Sequence, residues 1–159
     1  MATAHYVDVV EQDRTAVDVA LLTTRLVAGI VMIPHGAQHL LGSFNGPGLA
    51  GTVQYLGTIG YLVAIGEFFG GIGLVAGILS RFSAAAISII MLGAILTTHL
   101  QFGFFMNWTG AHKGEGYEYH LLVLALTAFL MIRGAGAFSI DHLLSSPASD
   151  RSKVAAHAA

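Results

Sequence analysis

The stretch from Leu21 to Leu41, "LLTTRLVAGIVMIPHGAQHLL", holds a single Asp, Glu, Lys or Arg, namely Arg25. Its length matches the roughly 20 apolar residues that an α-helix needs to cross the hydrocarbon of a bilayer. Working outward, three more apolar runs follow, at about residues 55–79, 82–105 and 117–135. No Asp, Glu, Lys or Arg occurs from Leu26 to Gly66, or from Phe82 to His112. Over all 159 residues the chain is 55% hydrophobic and 10% charged, and its mean hydropathy is +0.72. A soluble domain carries about 25% charged residues, so most of this exterior must face lipid. The expected fold class is all-α, an integral membrane four-helix bundle over residues 20–144.

The flanks and connections agree with helices. Residues 1–19 are polar, with Asp8, Glu11, Asp13, Arg14 and Asp18. They lack the basic, apolar and small-residue order of a cleavable leader and read as an interfacial helix or a frayed arm. "SFNGPGLAGT" reads as a Gly/Pro loop, Ser80–Arg81 as a tight turn, and "MNWTGAHKGEG" as a second long loop. The Ala/Ser-rich segment 145–159 reads as a disordered tail. Arg14, Arg25, Arg81, Arg133, Arg151 and Lys153 fall on the side of both termini, and Lys113 falls on the other. Basic residues favour the cytoplasmic side, so both termini are expected there. Trp108, Tyr117 and Tyr119 then lie at the outer interface. In "GEFFGGIGLVAGILSR", Gly66 and Gly70, then Gly73 and Gly77, are four apart, a spacing that lets helices approach closely in lipid.

The net charge of −2 points to no partner, and no basic patch suggests nucleic acid. The chain has no cysteine, which excludes disulfides, thiolate metal sites and cysteine redox chemistry. Its polar groups are unevenly placed. At about 1.5 Å per residue, His35 lies about 9 Å and His39 about 3 Å below the outer end of the first span. Glu67 lies about 18 Å into the second and His99 about 9 Å below the outer end of the third. Glu118 and His120 start the fourth, within about 5 Å of the surface. Ionisable groups inside a membrane face the bundle interior and are functional by default. These six residues are therefore the candidate binding site, with Glu67 as the candidate catalytic proton carrier.

Such a pocket suits a quinone headgroup, which wants hydrogen-bond donors and a proton path at the edge of the lipid. Haem or a metal fits less well. Imidazoles at His35, His39 and His99 offer ligands, but no metal motif such as HExxH is present. Two histidines on successive turns also cannot ligate opposite faces of one haem. A proton-linked transport path would need polar groups in the inner half as well.

Several motifs together resemble the DoxX family. These are "RLVAGIVMIPHGAQHLLG", "FNGPGLAGT", "GEFFGGIGLVAGILSR", "GEGYEYHLL" and "GAGAFSID", in that order from about Arg25 to Asp141. The resemblance implies a four-helix protein of the bacterial inner membrane. Family members are linked to quinone-dependent sulfur-compound oxidation and to redox-stress membrane complexes. At one position this chain departs from the pattern: where the family commonly has HG-x-x-K, it has His39. Three functional readings stand open at this point. One is a membrane subunit of a quinone-linked oxidoreductase that works with other protein subunits. Another is a non-catalytic anchor or scaffold in a larger complex. The third is a small transporter or a metal- or haem-binding protein.

Overall fold

A computed structural model describes residues 2–145 of the chain, with side chains from residue 11 onward. Apart from Ser145, the segment read as a disordered tail lies outside the described residues. Six α-helices and no strands are found among the described residues: α1 (Ala2–Leu41), α2 (Gly48–Leu56), α3 (Ile59–Ala76), α4 (Ser80–Ala94), α5 (Glu118–Arg133) and α6 (Ile140–Ser145). A π-turn, Ile95–His99, and a 3₁₀ turn, Leu100–Phe102, prolong α4. Three stretches are long and apolar enough to cross a membrane: Glu11–Leu41, Ile59–Ala76 and Ser80–Phe102. The protein is a helical membrane protein.

The boundaries differ from the expected ones in two places. The stretch read as a Gly/Pro loop and the start of the second span instead builds α2, entered at Pro47 and ended by Gly57 at φ 67. The second long helix therefore begins at Ile59. At the other end of the chain, α5 stops at Arg133 without extending toward residue 135. Gly134 takes φ 83 and turns its N–H back to the Leu130 carbonyl at 2.8 Å.

α1 packs on α3, α3 on α4, α4 on α5, and α5 returns to α1; α2 lies against α1 and α3. The centre is filled by Leu21, Ala28, Met32, Leu74, Ala84, Ile87, Met91, Val123 and Leu130. Large apolar side chains such as Ile30, Leu62, Phe69, Ile89, Leu96 and Leu122 are exposed on the outside, as expected of a surface solvated by lipid tails. Lipid supplies no hydrophobic drive between helices, so close packing and buried hydrogen bonds must hold them together. Both are present. The Ser88 hydroxyl donates to Thr127 Oγ1 at 2.8 Å, joining α4 to α5. Gly36 brings α1 against the backbone of α3: a Cβ there would lie 2.2 Å from the Phe68 nitrogen. Of the glycines in "GEFFGGIGLVAG", Gly66 and Gly70 face Ile90 and Ile87 of α4, whereas Gly71 meets Ile33 and the Gly29 carbonyl of α1. The small-residue pattern is a packing device on two sides of α3.

A polar knot ties the end of the bundle where α3 meets α4. Arg25 is fully buried. Its guanidinium donates to the carbonyls of Leu74 at 3.0 Å, Val75 at 3.3 Å and Phe138, placing a cation on the negative end of α3. Gly77, at φ 70, leaves room for it, since a Cβ would meet the guanidinium at 2.5 Å. Asp141 accepts the Leu79 and Ser80 amides, both at 2.8 Å, and so caps the start of α4 from α6. Burial pushes the Asp141 carboxyl up, but those amides and the nearby Arg25 outweigh it, and it titrates below its ordinary value. Asp18 accepts the Ala137 amide at 2.9 Å. Arg81 donates to the Met131 carbonyl in the last turn of α5.

Two alanine substitutions separate glycine as a contact from glycine as a spacer. Gly36→Ala forces α1 off α3 and is expected to cost about 1–3 kcal/mol, as overpacking does. Gly93 has open space where its Cβ would be, so Gly93→Ala leaves stability unchanged or raised by up to about 1 kcal/mol. Thermal unfolding in a mild detergent reads both. Equal melting temperatures for Gly36→Ala and the parent chain would contradict the close crossing.

Candidate functional site

The end of the bundle opposite the knot collects the candidate residues into two groups. The first joins α1 to α3. His39 Nδ1 and Glu67 Oε2 are 2.6 Å apart. The glutamate side chain is 6% exposed and the histidine 33%. One proton lies between the imidazole nitrogen and the carboxyl oxygen, and the partly open imidazole connects the buried carboxyl to the bundle surface. Local sequence explains the placement. Gly36 faces α3, and His39, three residues on, shares that face. Thr52 of α2, itself buried, donates to the His39 carbonyl at 3.0 Å, which satisfies a backbone acceptor in the last turn of α1.

The pairing corrects the depth argument. Glu67 was expected near the midplane, far below His39. Because α3 starts at Ile59, Glu67 is only about 12 Å along the helix, and the two side chains close the remaining gap. His35 was expected to face the interior beside Glu67. It is exposed and turns to Tyr119 of α5 instead, with ring centroids 5.7 Å apart.

The second group is a cluster of rings contributed by α1, the π-turn and α5. The His99 and His120 ring centroids are 4.2 Å apart at 46°. Tyr119 lies 5.6 Å from His120 and 5.7 Å from His35. His99 Nδ1 sits 2.8 Å from the Glu115 carbonyl. A carbonyl can only accept, so Nδ1 carries the hydrogen and the neutral ring leaves Nε2 as an acceptor. The π-turn, a local widening often found at functional sites, is what carries His99. His120 is 6% exposed, and its buried Nδ1 has no hydrogen-bond partner among the described residues. Glu118 stands apart from both groups. Its carboxylate accepts the Met106 amide at 2.9 Å and lies 3.4 Å from the Trp108 indole N–H, so it organises the loop before α5.

The imidazoles considered as a metal set go separate ways: His39 to Glu67, His35 to Tyr119, His99 to Glu115 and His120. Among the described residues no group of three His, Cys, Asp or Glu side chains is placed to hold a metal ion. Sequence reasoning missed Tyr119, assigning it to the interfacial belt. Its helical register carried the signal. Val123, Thr127 and Leu130 are buried, and Tyr119 lies on the same stripe, four residues before Val123.

The hydrogen bond to Glu115 fixes a measurable property. Nitrogen-15 spectra of the imidazoles should show neutral His99 protonated at Nδ1. Protonation at Nε2 would mean that the contact with the Glu115 carbonyl is absent.

Comparison with known proteins bears on the whole arrangement. The DoxX family model matches residues 20–100, just over half of the chain. A Bacillus subtilis (strain 168) protein named "Putative oxidoreductase CatD" is 27% identical over 130 residues, covering 78% of this chain and 86% of its own length. No solved structure matches. The glycine crossing between α1 and α3, the His39–Glu67 pair and the π-turn at His99 all fall inside the matched segment, and the chain belongs to the DoxX family.

Proposed function

We propose that this DoxX protein is the membrane subunit of a quinone-linked oxidoreductase, with the headgroup held where His39, Glu67 and the ring cluster meet. The observation that carries this reading is the 2.6 Å bond between buried Glu67 and partly exposed His39. It gives a proton-exchanging pair at the edge of an apolar bundle. The name of the Bacillus relative, an oxidoreductase, points the same way.

A bound quinone would supply the two-electron chemistry, and electrons would come from another subunit. The residues of this chain would orient the headgroup and handle protons. Glu67 gives its proton to the headgroup side and is replenished through His39 Nδ1, the imidazole reaching the surface. His99 Nε2 accepts a hydrogen bond from a hydroxyl. A specific observation favours the scaffold reading too, since the same His39–Glu67 bond ties α1 to α3.

Glu67→Gln separates the two readings. The amide keeps the shape and a donor, so complex yield should hold. It cannot exchange a proton, so quinone reduction by the intact complex should fall about 100-fold or more, the low end of general acid–base effects. Full activity in this variant would remove the proton role and leave the tie between helices. Gentle purification, an absorption spectrum and organic extraction would show whether a quinone travels with the protein.

The proposal places the protein in the bacterial inner membrane with both termini cytoplasmic and the His39 end outward, following the basic residues. Reporter fusions at Gly48 and Lys113 should both register outside the cytoplasm. A cytoplasmic signal from either position would invert the site to the inner leaflet.

A further inference from the structure

We infer that Tyr119 is a further binding residue of this site, donating its phenolic hydrogen to a carbonyl oxygen of the headgroup. The inference rests on the quinone reading above and adds a contact that the sequence did not suggest. Four observations support it.

The Tyr119 hydroxyl has one hydrogen-bond partner among the described residues, the Met32 thioether at 3.9 Å. Sulfur in a thioether is a weak acceptor, whereas tyrosine hydroxyls inside proteins usually find a strong one. The side chain is partly buried against the central core, with its hydroxyl directed at fully buried Met32. Next to it in sequence, His120 Nδ1 is buried without a partner among the described residues. Two adjacent residues on the first turn of α5 thus leave polar atoms without good partners in one place. A buried polar atom without a partner costs about 1–3 kcal/mol, which an incoming carbonyl would relieve. Finally, Tyr119 bridges the two groups. Its ring touches both His35 and His120, and its hydroxyl lies within electrostatic reach of Glu67. A headgroup bonded to Tyr119 therefore sits between the proton-exchanging pair and the imidazole pair. A planar molecule with carbonyl oxygens on opposite edges would present one edge toward each group.

The test uses the full chain in detergent and a short-tailed benzoquinone, with binding corrected for partition into empty micelles. Tyr119→Phe keeps the ring against Met32, His35 and His120 and removes only the hydroxyl. Affinity should fall about five- to tenfold, the range for losing one neutral hydrogen bond. Tyr61→Phe, on the exposed face of α3, should leave affinity unchanged. Infrared spectra of the bound quinone give a second readout that a packing role would not move. In the parent chain one carbonyl stretch should shift down from its value in empty micelles, and in Tyr119→Phe that shift should vanish. Equal affinity of Tyr119→Phe and parent chain, or an unshifted carbonyl in the parent, overturns the role of Tyr119 while leaving the quinone reading standing. Absence of saturable binding by the parent chain overturns the quinone reading and this inference with it.

Discussion

The contact between the backbones of α1 and α3 is the constraint on which the rest of the molecule depends. A Cβ at Gly36 would stand 2.2 Å from the Phe68 nitrogen, and one at Gly29 would stand 2.6 Å from the Gly71 carbonyl oxygen. Two helices touching over that length have little rotational freedom. His39 is one turn beyond Gly36, and Glu67 is the residue before Phe68. The bond between them is thus set by the same crossing. If the helices were an ordinary 8–10 Å apart, a side chain of histidine length would have more distance to cover. In a bilayer the crossing cannot be held by hydrophobic exclusion, so contact area and the hydrogen bond support each other.

The two ends of the bundle use their polar groups differently. At the Arg25 end, the guanidinium and the carboxylates of Asp18 and Asp141 bind backbone groups at helix termini and in the segment after α5. That chemistry fastens α6 and the segment after α5 to the starts and ends of other helices, and it offers a proton no route. At the His39 end, side chains bind side chains. Imidazole meets carboxyl, and imidazole packs on imidazole and phenol. Groups whose partners are themselves titratable can change protonation without breaking a helix end. The bundle thus spends its polar groups on backbone at one end and on one another at the other.

Much of this was legible in the sequence because lipid imposes simple rules. Apolar runs with few charges became helices, and the six acidic and imidazole positions His35, His39, Glu67, His99, Glu118 and His120 were singled out by being polar where polarity is costly. What could not be read was which of them pair. His35 and His39 looked equivalent at a spacing of four, yet His39 meets Glu67 of α3 whereas His35 meets Tyr119 of α5. Glu67 was placed too deep because Gly48–Leu56 forms its own helix, a break that composition does not announce. Arg25 was counted as a charge near a membrane edge, and its burial depends on carbonyls 49 and 113 residues away. Tyr119 was hidden by its neighbours Tyr117 and Trp108, whose composition suggests an interfacial belt. Long-range partners of this kind leave no local pattern.

The geometry also bears on position 39, where the resemblance to the family leads one to expect lysine. Position 39 faces Glu67, so a lysine there would meet the same carboxyl. Its ammonium ordinarily titrates at about 10.4 and would remain a fixed positive charge, holding the carboxylate ionised as its counter-ion. Histidine ordinarily titrates at about 6.5, so proton transfer between it and a carboxyl spans a far smaller gap. Its second ring nitrogen can also pick up a proton from the surface while the first gives one to the carboxyl. Lysine at this position would make an anchor for an anion. Histidine makes a hydrogen-bonded pair with the carboxyl, partly exposed at His39 and buried at Glu67, which is the arrangement the proposed proton role would require.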